Sequence, residues 1–107
     1  MKTIRVREEY FRLISSGEKS REVRAAHPLF EAVSVGEVIR FAWGNERLRA
    51  RVVSVRRYRR LFPLVLRERA GSILPGGNKS DVYRAIRSIY PKEKRTRGFI
   101  VIAFERA

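Results

Sequence analysis

Gly17-Glu18-Lys19-Ser20-Arg21-Glu22-Val23-Arg24 is the stretch around which we interpret the rest of the chain. It follows an amphipathic run, and its glycine tolerates the left-handed backbone that commonly ends a helix. Side chains of a following strand alternate between its faces, so Glu22 and Arg24 share one face while Val23 points to the other. Lys19 has the opposite parity to Glu22 and joins that pair only if the chain is still turning there. The simpler interpretation is a solvated strand edge whose ion pair contributes about 0–1 kcal/mol. The alternative is a binding or catalytic site.

Length and composition indicate one globular domain over residues 1–107, because 44% of the residues are hydrophobic. The chain has no cysteine, and its single histidine, His27, cannot build a zinc site alone. We therefore expect neither a metal nor a cofactor. No apolar run approaches the roughly 20 residues that cross a bilayer, and the charged N-terminus does not resemble a signal peptide. We expect a cytoplasmic protein that does not contact membranes.

The charge is strongly positive, with 25 Lys and Arg against 11 Asp and Glu and a formal net charge of +14. Such an excess favours polyanions, above all nucleic acid, because bound phosphates release their counterions. Two causes that involve no ligand would also produce it. The composition of an arginine-rich or heat-adapted proteome would raise the arginine count, and a basic protein would be kept soluble by self-repulsion.

The hydrophobic pattern predicts short strands separated by helices and turns. One helix precedes Gly17, and another is capped by Asn78 or Ser80 and ends before Pro91. Gly44-Asn45 is a two-residue hairpin signal. The expected strands are Thr3–Val6, Lys19–Arg24, Val38–Trp43, Glu46–Val55 and Gly98–Phe104, the last of them buried on both sides. Without regular βαβ alternation, these elements predict an α+β fold, a small mixed and mostly antiparallel barrel with two or three short helices.

Two basic stretches accompany the predicted hairpin. Arg47, Arg49 and Arg51 project from one face of its return strand at intervals of roughly 6.7 Å, which is comparable to the phosphate step of a nucleic-acid strand. In Arg56-Arg57-Tyr58-Arg59-Arg60, the arginines can bind phosphate bidentately and the tyrosine can stack on an unpaired base. The alternatives are a solvated hairpin face and a charged strand end with Tyr58 packed inward.

Gly17-x-Lys19-x-x-Glu22-x-Arg24 resembles the signature of the ASCH (activating signal cointegrator homology) family, which has a PUA-like β-barrel fold. The resemblance extends over nearly the whole chain, through stretches similar in order and spacing: Val35–Phe41, Val52–Tyr58, Ile73–Gly76, Ile89–Pro91 and Gly98–Phe104. It implies a single ASCH/PUA-like domain that binds RNA in a cleft beside the signature strand.

The resemblance also bears on catalysis. Some small bacterial members are similar to ribonucleases, and others hydrolyse amides such as acylated cytidines with a lysine, a threonine and a distant glutamate. Lys19 matches that lysine, but Glu22 stands at the threonine position and the distant glutamate falls near Pro75. The resemblance therefore does not favour amide hydrolysis of modified nucleosides in this chain.

We predict an RNA- or nucleotide-binding module, present as a monomer or a weak dimer. Lys19 and Arg24 would hold a phosphate or a base carbonyl, and Glu22 would orient them or accept a hydrogen bond from a base amino group. The two basic stretches would contact the RNA backbone. One alternative is a metal-independent ribonuclease with Lys19 and Glu22 as its catalytic residues, although adjacent cations make Glu22 a weak general base. A further alternative is an adaptor that binds an acidic protein surface.

Overall fold

The computed structural model describes residues 1–107 and contains five strands and six helices. The strands are β1 (Thr3–Arg5), β2 (Arg21–Ala25), β3 (Val38–Trp43), β4 (Glu46–Tyr58) and β5 (Phe99–Arg106). The helices are α1 (Glu8–Ser16), α2 (Pro28–Glu31), α3 (Leu61–Arg67), α4 (Ala70–Ile73), α5 (Lys79–Ile89) and α6 (Lys92–Arg95). No helix has the length and apolar character needed to cross a membrane.

All strands join one curled sheet in the order β1-β3-β4-β5-β2, in which only β1 and β3 run parallel. Its two edge strands, β1 and β2, are bridged by a side chain, because Arg24 Nη2 donates to the Arg5 carbonyl at 2.7 Å. The predicted α+β class and the small, mostly antiparallel barrel are confirmed. The barrel is open between β1 and β2, so it is better described as a half-barrel.

The predicted burial of β5 on both sides is confirmed, because its residues belong alternately to two hydrophobic cores. Ile100, Ile102 and Phe104 pack on the inner face of the sheet, where α1 closes the first core with Phe11 and Ile14. On the outer face, Phe99 and Val101 pack against the buried side chains of α3, α4 and α5. These three helices cover only part of the outer face, which leaves the β3–β4 hairpin exposed there.

The two long helices have the ends that the sequence predicts. Gly17 ends α1 at φ 86° and donates its N–H to Ile14, so the chain turns sharply before β2. At the start of α5, Asn78 and Asp81 form a capping box in which each side chain accepts from the other residue's backbone N–H. The turn at Gly17 places Lys19 just before β2, and the capping box satisfies backbone N–H groups at the start of α5.

The number of helices differs from the prediction, since six are present instead of two or three. Three of them, α2, α4 and α6, are single turns of four residues, too short to show a helical period in the sequence. Pro63 does not interrupt α3, because it occupies the third helical position, where its missing N–H has no intrahelical partner.

Strand boundaries also differ from the prediction, by one or two residues in β1 and β5 and with more consequence in β2 and β4. β2 begins at Arg21, after the turn that contains Lys19. β4 continues to Tyr58, with a β-bulge between Val52 and Ser54 that switches which side chains face inward.

Candidate functional site

A cleft of about 350 Å³ lies between the open edges of the half-barrel. Edge strand β1 contributes Arg5, edge strand β2 contributes Glu22 and Arg24, and one face of α5 forms the opposite wall. Most of the lining is apolar, including the α5 residues Val82, Ala85, Ile86 and Ile89. The charged side chains are therefore concentrated on one side of a largely apolar cleft.

Lys19 is almost fully buried in this cleft, with 4% of its surface exposed. Its ammonium group donates to the carbonyl of Arg21 at 2.8 Å and to that of Ile73 at 2.6 Å. It also lies 3.4 Å from Glu22 Oε1. Burial lowers the pKa of Lys19, and the nearby Glu22 charge only partly opposes that effect. The three donor positions of Lys19 are thus all directed at groups of the protein itself.

Glu22 connects Lys19 to Arg24. Its Oε2 accepts from Arg24 Nε at 2.8 Å, whereas its Oε1 has only the 3.4 Å contact with Lys19. Because a carboxylate offers about four acceptor positions, Glu22 keeps acceptor capacity inside the cleft. We refer to these three side chains as the Lys19–Glu22–Arg24 cluster. The alternation predicted for β2 is confirmed, and the chain is still turning at Lys19, which is the condition for Lys19 to join the other two.

Three aromatic rings, those of Tyr10, Trp43 and Tyr90, also line the cleft. Trp43 is 39% exposed, and Tyr90 packs edge-to-face against Phe99 with ring centroids 6.2 Å apart. Burial raises the pKa of Tyr90. The last residue of α5, Ile89, continues the apolar face of the helix, but 48% of its surface is exposed and it lines the cleft instead of entering the core.

Arg47, Arg49 and Arg51 share the exposed outer face of β4, as the alternation predicts. Arg47 donates to the carbonyls of Gly44 and Glu46 at 2.8 Å, and Arg51 donates to that of Gly36 at 3.2 Å. None of the three arginines lines the cleft. If these arginines bind RNA, they do so on the outer face of β4 and not in the cleft, and this role remains a prediction.

Strand alternation divides the second basic stretch between two faces of the sheet, and the bulge in β4 decides which face each residue takes. Arg57 lies on the inner face and donates to the carbonyl of Glu31 at 3.0 Å. Arg56 and Tyr58 lie on the outer face, where Tyr58 packs against the second core. Tyr58 is thus packed into the protein, as the alternative interpretation of this stretch predicts. The five residues do not form one cluster.

Sequence reasoning missed the partner of Arg56 and Tyr58, which is Glu68. This carboxylate is 2% exposed and accepts from both, and Arg21 Nη1 donates to it at 3.0 Å. Burial raises the pKa of Glu68, but the hydrogen bonds from Arg56 and Tyr58 and the arginine charges outweigh that effect and lower the pKa. The only sequence signal is a lone acid in Arg67-Glu68-Arg69, directly after an apolar helix.

Comparisons with known proteins agree with this architecture. The family model of the ASCH domain matches residues 4–107. The crystal structure of hypothetical protein PH0355 is 26% identical, with a TM-score of 0.87 and 100% of both chains covered. The solution NMR structure of protein PF0455 from Pyrococcus furiosus is also 26% identical, with a TM-score of 0.76 over 98% of this chain and 96% of that one. No curated protein matches the chain in sequence.

Proposed function

The chain belongs to the ASCH domain family, which is generally considered to bind RNA, and we propose that its cleft binds an unpaired base of single-stranded RNA or a free nucleotide. The observation that carries this proposal is a cleft of about 350 Å³ that combines aromatic rings with the Lys19–Glu22–Arg24 cluster. Ligand sites commonly have volumes of about 300–1,000 Å³ and apolar walls with a few polar groups. A base with its ribose suits such a site.

Stacking would supply much of the affinity. Tyr10, Trp43 and Tyr90 line the cleft, and Ile89 extends its apolar wall. Stacking of a base on an aromatic side chain contributes about 1–3 kcal/mol and tolerates any base. An unpaired base would therefore enter this cleft more readily than a paired one, whose faces are already stacked.

The polar side of the cleft would read the edge of the base. Glu22 has acceptor capacity left for an exocyclic amino group. Arg24 uses Nε and Nη2 on protein acceptors, which leaves Nη1 to donate to a base carbonyl or a phosphate. Because the protons of Lys19 are already directed at protein acceptors, we assign it a positioning role, in which it holds the Glu22 side chain in place.

Arginines at the rim would bind the phosphates. Arg5 and Arg7 are exposed beside the cleft, and neither forms an ion pair with a carboxylate. The net charge of +14, to which Arg47, Arg49 and Arg51 contribute, would attract the strand from a distance. Binding should therefore weaken steeply as salt is added.

The geometry supports binding better than cleavage. A ribonuclease mechanism would require Glu22 to take a proton from a ribose hydroxyl. Both oxygens of Glu22 already face cations, Oε2 at Arg24 and Oε1 at Lys19, and both cations already use donors on protein acceptors. Labelled RNA should remain intact with the wild-type protein in EDTA. Cleavage that disappears in Glu22→Gln would favour the enzyme instead.

A charge placed in the cleft wall tests the proposal. Ile89→Glu introduces a carboxylate at a half-exposed cleft position, so it should repel RNA without unfolding the protein. Leu66→Glu is the matched control, because Leu66 is 56% exposed on α3 and lies outside the cleft. With a fluorescent single-stranded RNA of about 6 nucleotides, anisotropy should show a loss of affinity of at least roughly tenfold for Ile89→Glu only. Equal affinities for both variants would refute cleft binding.

A further inference from the structure

A second groove, of about 470 Å³, lies on the other side of α5 from the cleft. Its lining contains five cationic side chains and no acidic one: Arg59, Arg60, Arg87, Lys92 and Arg95. We call this surface the basic groove. Tyr83, Thr96 and Phe99 complete part of its lining.

None of these five cations lies within 4.0 Å of a carboxylate oxygen, although several arginines elsewhere in the chain form ion pairs. Two of them are held by neutral groups. Arg87 Nη1 lies 3.2 Å from the Tyr83 hydroxyl, and Arg95 Nη1 donates to the Tyr90 carbonyl at 2.8 Å. Converging cations repel one another unless an anion lies between them, so the basic groove is organised for a polyanion.

The end of α5 separates the basic groove from the cleft. Ile86 and Ile89 line the cleft, whereas Tyr83 and Arg87 of the same helix line the groove. At the sheet, Tyr90 in the cleft packs edge-to-face on Phe99 in the groove. One extended strand could therefore contact both surfaces by passing over the C-terminal end of α5.

We propose that the basic groove binds the phosphodiester backbone of the same RNA strand whose base occupies the cleft. This inference rests on the proposed function of the cleft. Arginine forks bind phosphate oxygens bidentately, which suits successive phosphates along a flexible strand. A short RNA fills the cleft alone, whereas a longer one also reaches the groove. Affinity should consequently rise with RNA length, and the groove cations should account for the increase.

The test compares two triple variants that each remove three positive charges. The groove variant is Arg59→Gln/Arg60→Gln/Lys92→Gln, and the control is Arg67→Gln/Arg69→Gln/Arg84→Gln, whose side chains are exposed and line neither surface. Thermal melting first establishes that both variants are folded. Anisotropy then measures their affinity for single-stranded RNAs of about 3 and about 12 nucleotides at several salt concentrations.

We expect the groove variant to lose roughly tenfold or more in affinity for the longer RNA and about twofold for the shorter one. Its slope of log K against log salt should become shallower by about 2, since each lost phosphate contact removes about 0.7. Equal losses for the two variants, or equal losses for both RNA lengths, would overturn the inference and leave the cleft proposal intact. Failure of the wild type to bind either RNA would overturn both this inference and the cleft proposal.

Discussion

Glu22 and Glu68 are two buried carboxylates with cationic partners, and they differ in what surrounds them. Glu68 is 2% exposed at the C-terminal end of α3 and receives hydrogen bonds from two arginines and a tyrosine. Glu22 is 7% exposed beside the cleft, and its Oε1 has only the longer contact from Lys19. The same kind of charge cluster thus completes the fold at one position and leaves acceptor capacity for a ligand at the other. Residual hydrogen-bonding capacity, and not charge alone, is therefore the reason why the proposed site includes Glu22 and excludes Glu68.

The largest effect on stability is expected for Glu68→Gln. This change removes the negative charge shared by Arg21, Arg56 and Tyr58 and replaces one of its two acceptor oxygens by an NH2 donor, and losing one partner of a buried charge cluster costs about 3 kcal/mol. Urea unfolding should show the loss, and the exposed Glu105→Gln should change stability by less than about 0.5 kcal/mol. RNA affinity, measured where the variant is folded, should equal that of the wild type. Full stability in Glu68→Gln would contradict the structural role.

The second-largest effect is a loss of RNA affinity, which we expect for Glu22→Gln. The amide keeps the shape of the side chain but weakens its contacts with Lys19 and Arg24 and its acceptor strength toward a base. A hydrogen bond to a charged group contributes about 1.5–3 kcal/mol, so affinity for short single-stranded RNA should fall by roughly tenfold or more. Stability should fall less than in Glu68→Gln, because Glu22 has one arginine partner and Lys19 keeps its two backbone carbonyl acceptors. Unchanged affinity would remove Glu22 from the site.

The smallest expected effect is a change in the acid dependence of stability. The pKa of Glu68 is lowered in the folded state, because the hydrogen bonds and charges of its partners outweigh the effect of burial. The unfolded chain therefore binds more protons than the folded one between the two pKa values. Glu68 contributes stability above its unfolded pKa of about 4.3, and that contribution is lost as pH falls through the folded pKa. Stability of Glu68→Gln should consequently depend less on pH below about pH 5 than that of the wild type. Parallel pH profiles of the two proteins would exclude this linkage.

Local patterns in the sequence predict much of the fold and the cluster around Glu22. Alternation along β2 and the turn at Gly17 are sufficient to bring Lys19, Glu22 and Arg24 together. The apolar run of Gly98–Phe104 likewise predicts a strand between two cores. Each of these features depends on residues that are close together in the sequence, so the local sequence pattern predicts it.

Features that depend on distant neighbours could not be predicted. The bulge at Val53 reverses the alternation of β4, so it turns Arg56 and Tyr58 toward Glu68. A lone glutamate between arginines gives no periodic signal for that contact. The cleft also requires the curl of the sheet, which brings Arg5 and Trp43 beside β2. The sequence therefore does not identify Arg5 and Trp43 as cleft residues, because they reach the cleft only when the two sheet edges come close together.

Fluorescence of Trp43 tests cleft binding most directly, because it is the only tryptophan of the chain and lies in the cleft. Single-stranded RNA of about 3 nucleotides would be titrated into the protein, with a free tryptophan derivative correcting for absorbance by the RNA. We expect saturable quenching of Trp43 with the same midpoint as the anisotropy change, and its loss in Ile89→Glu. RNA binding detected by anisotropy without any change in Trp43 emission would show that the RNA binds elsewhere and would contradict the proposed site.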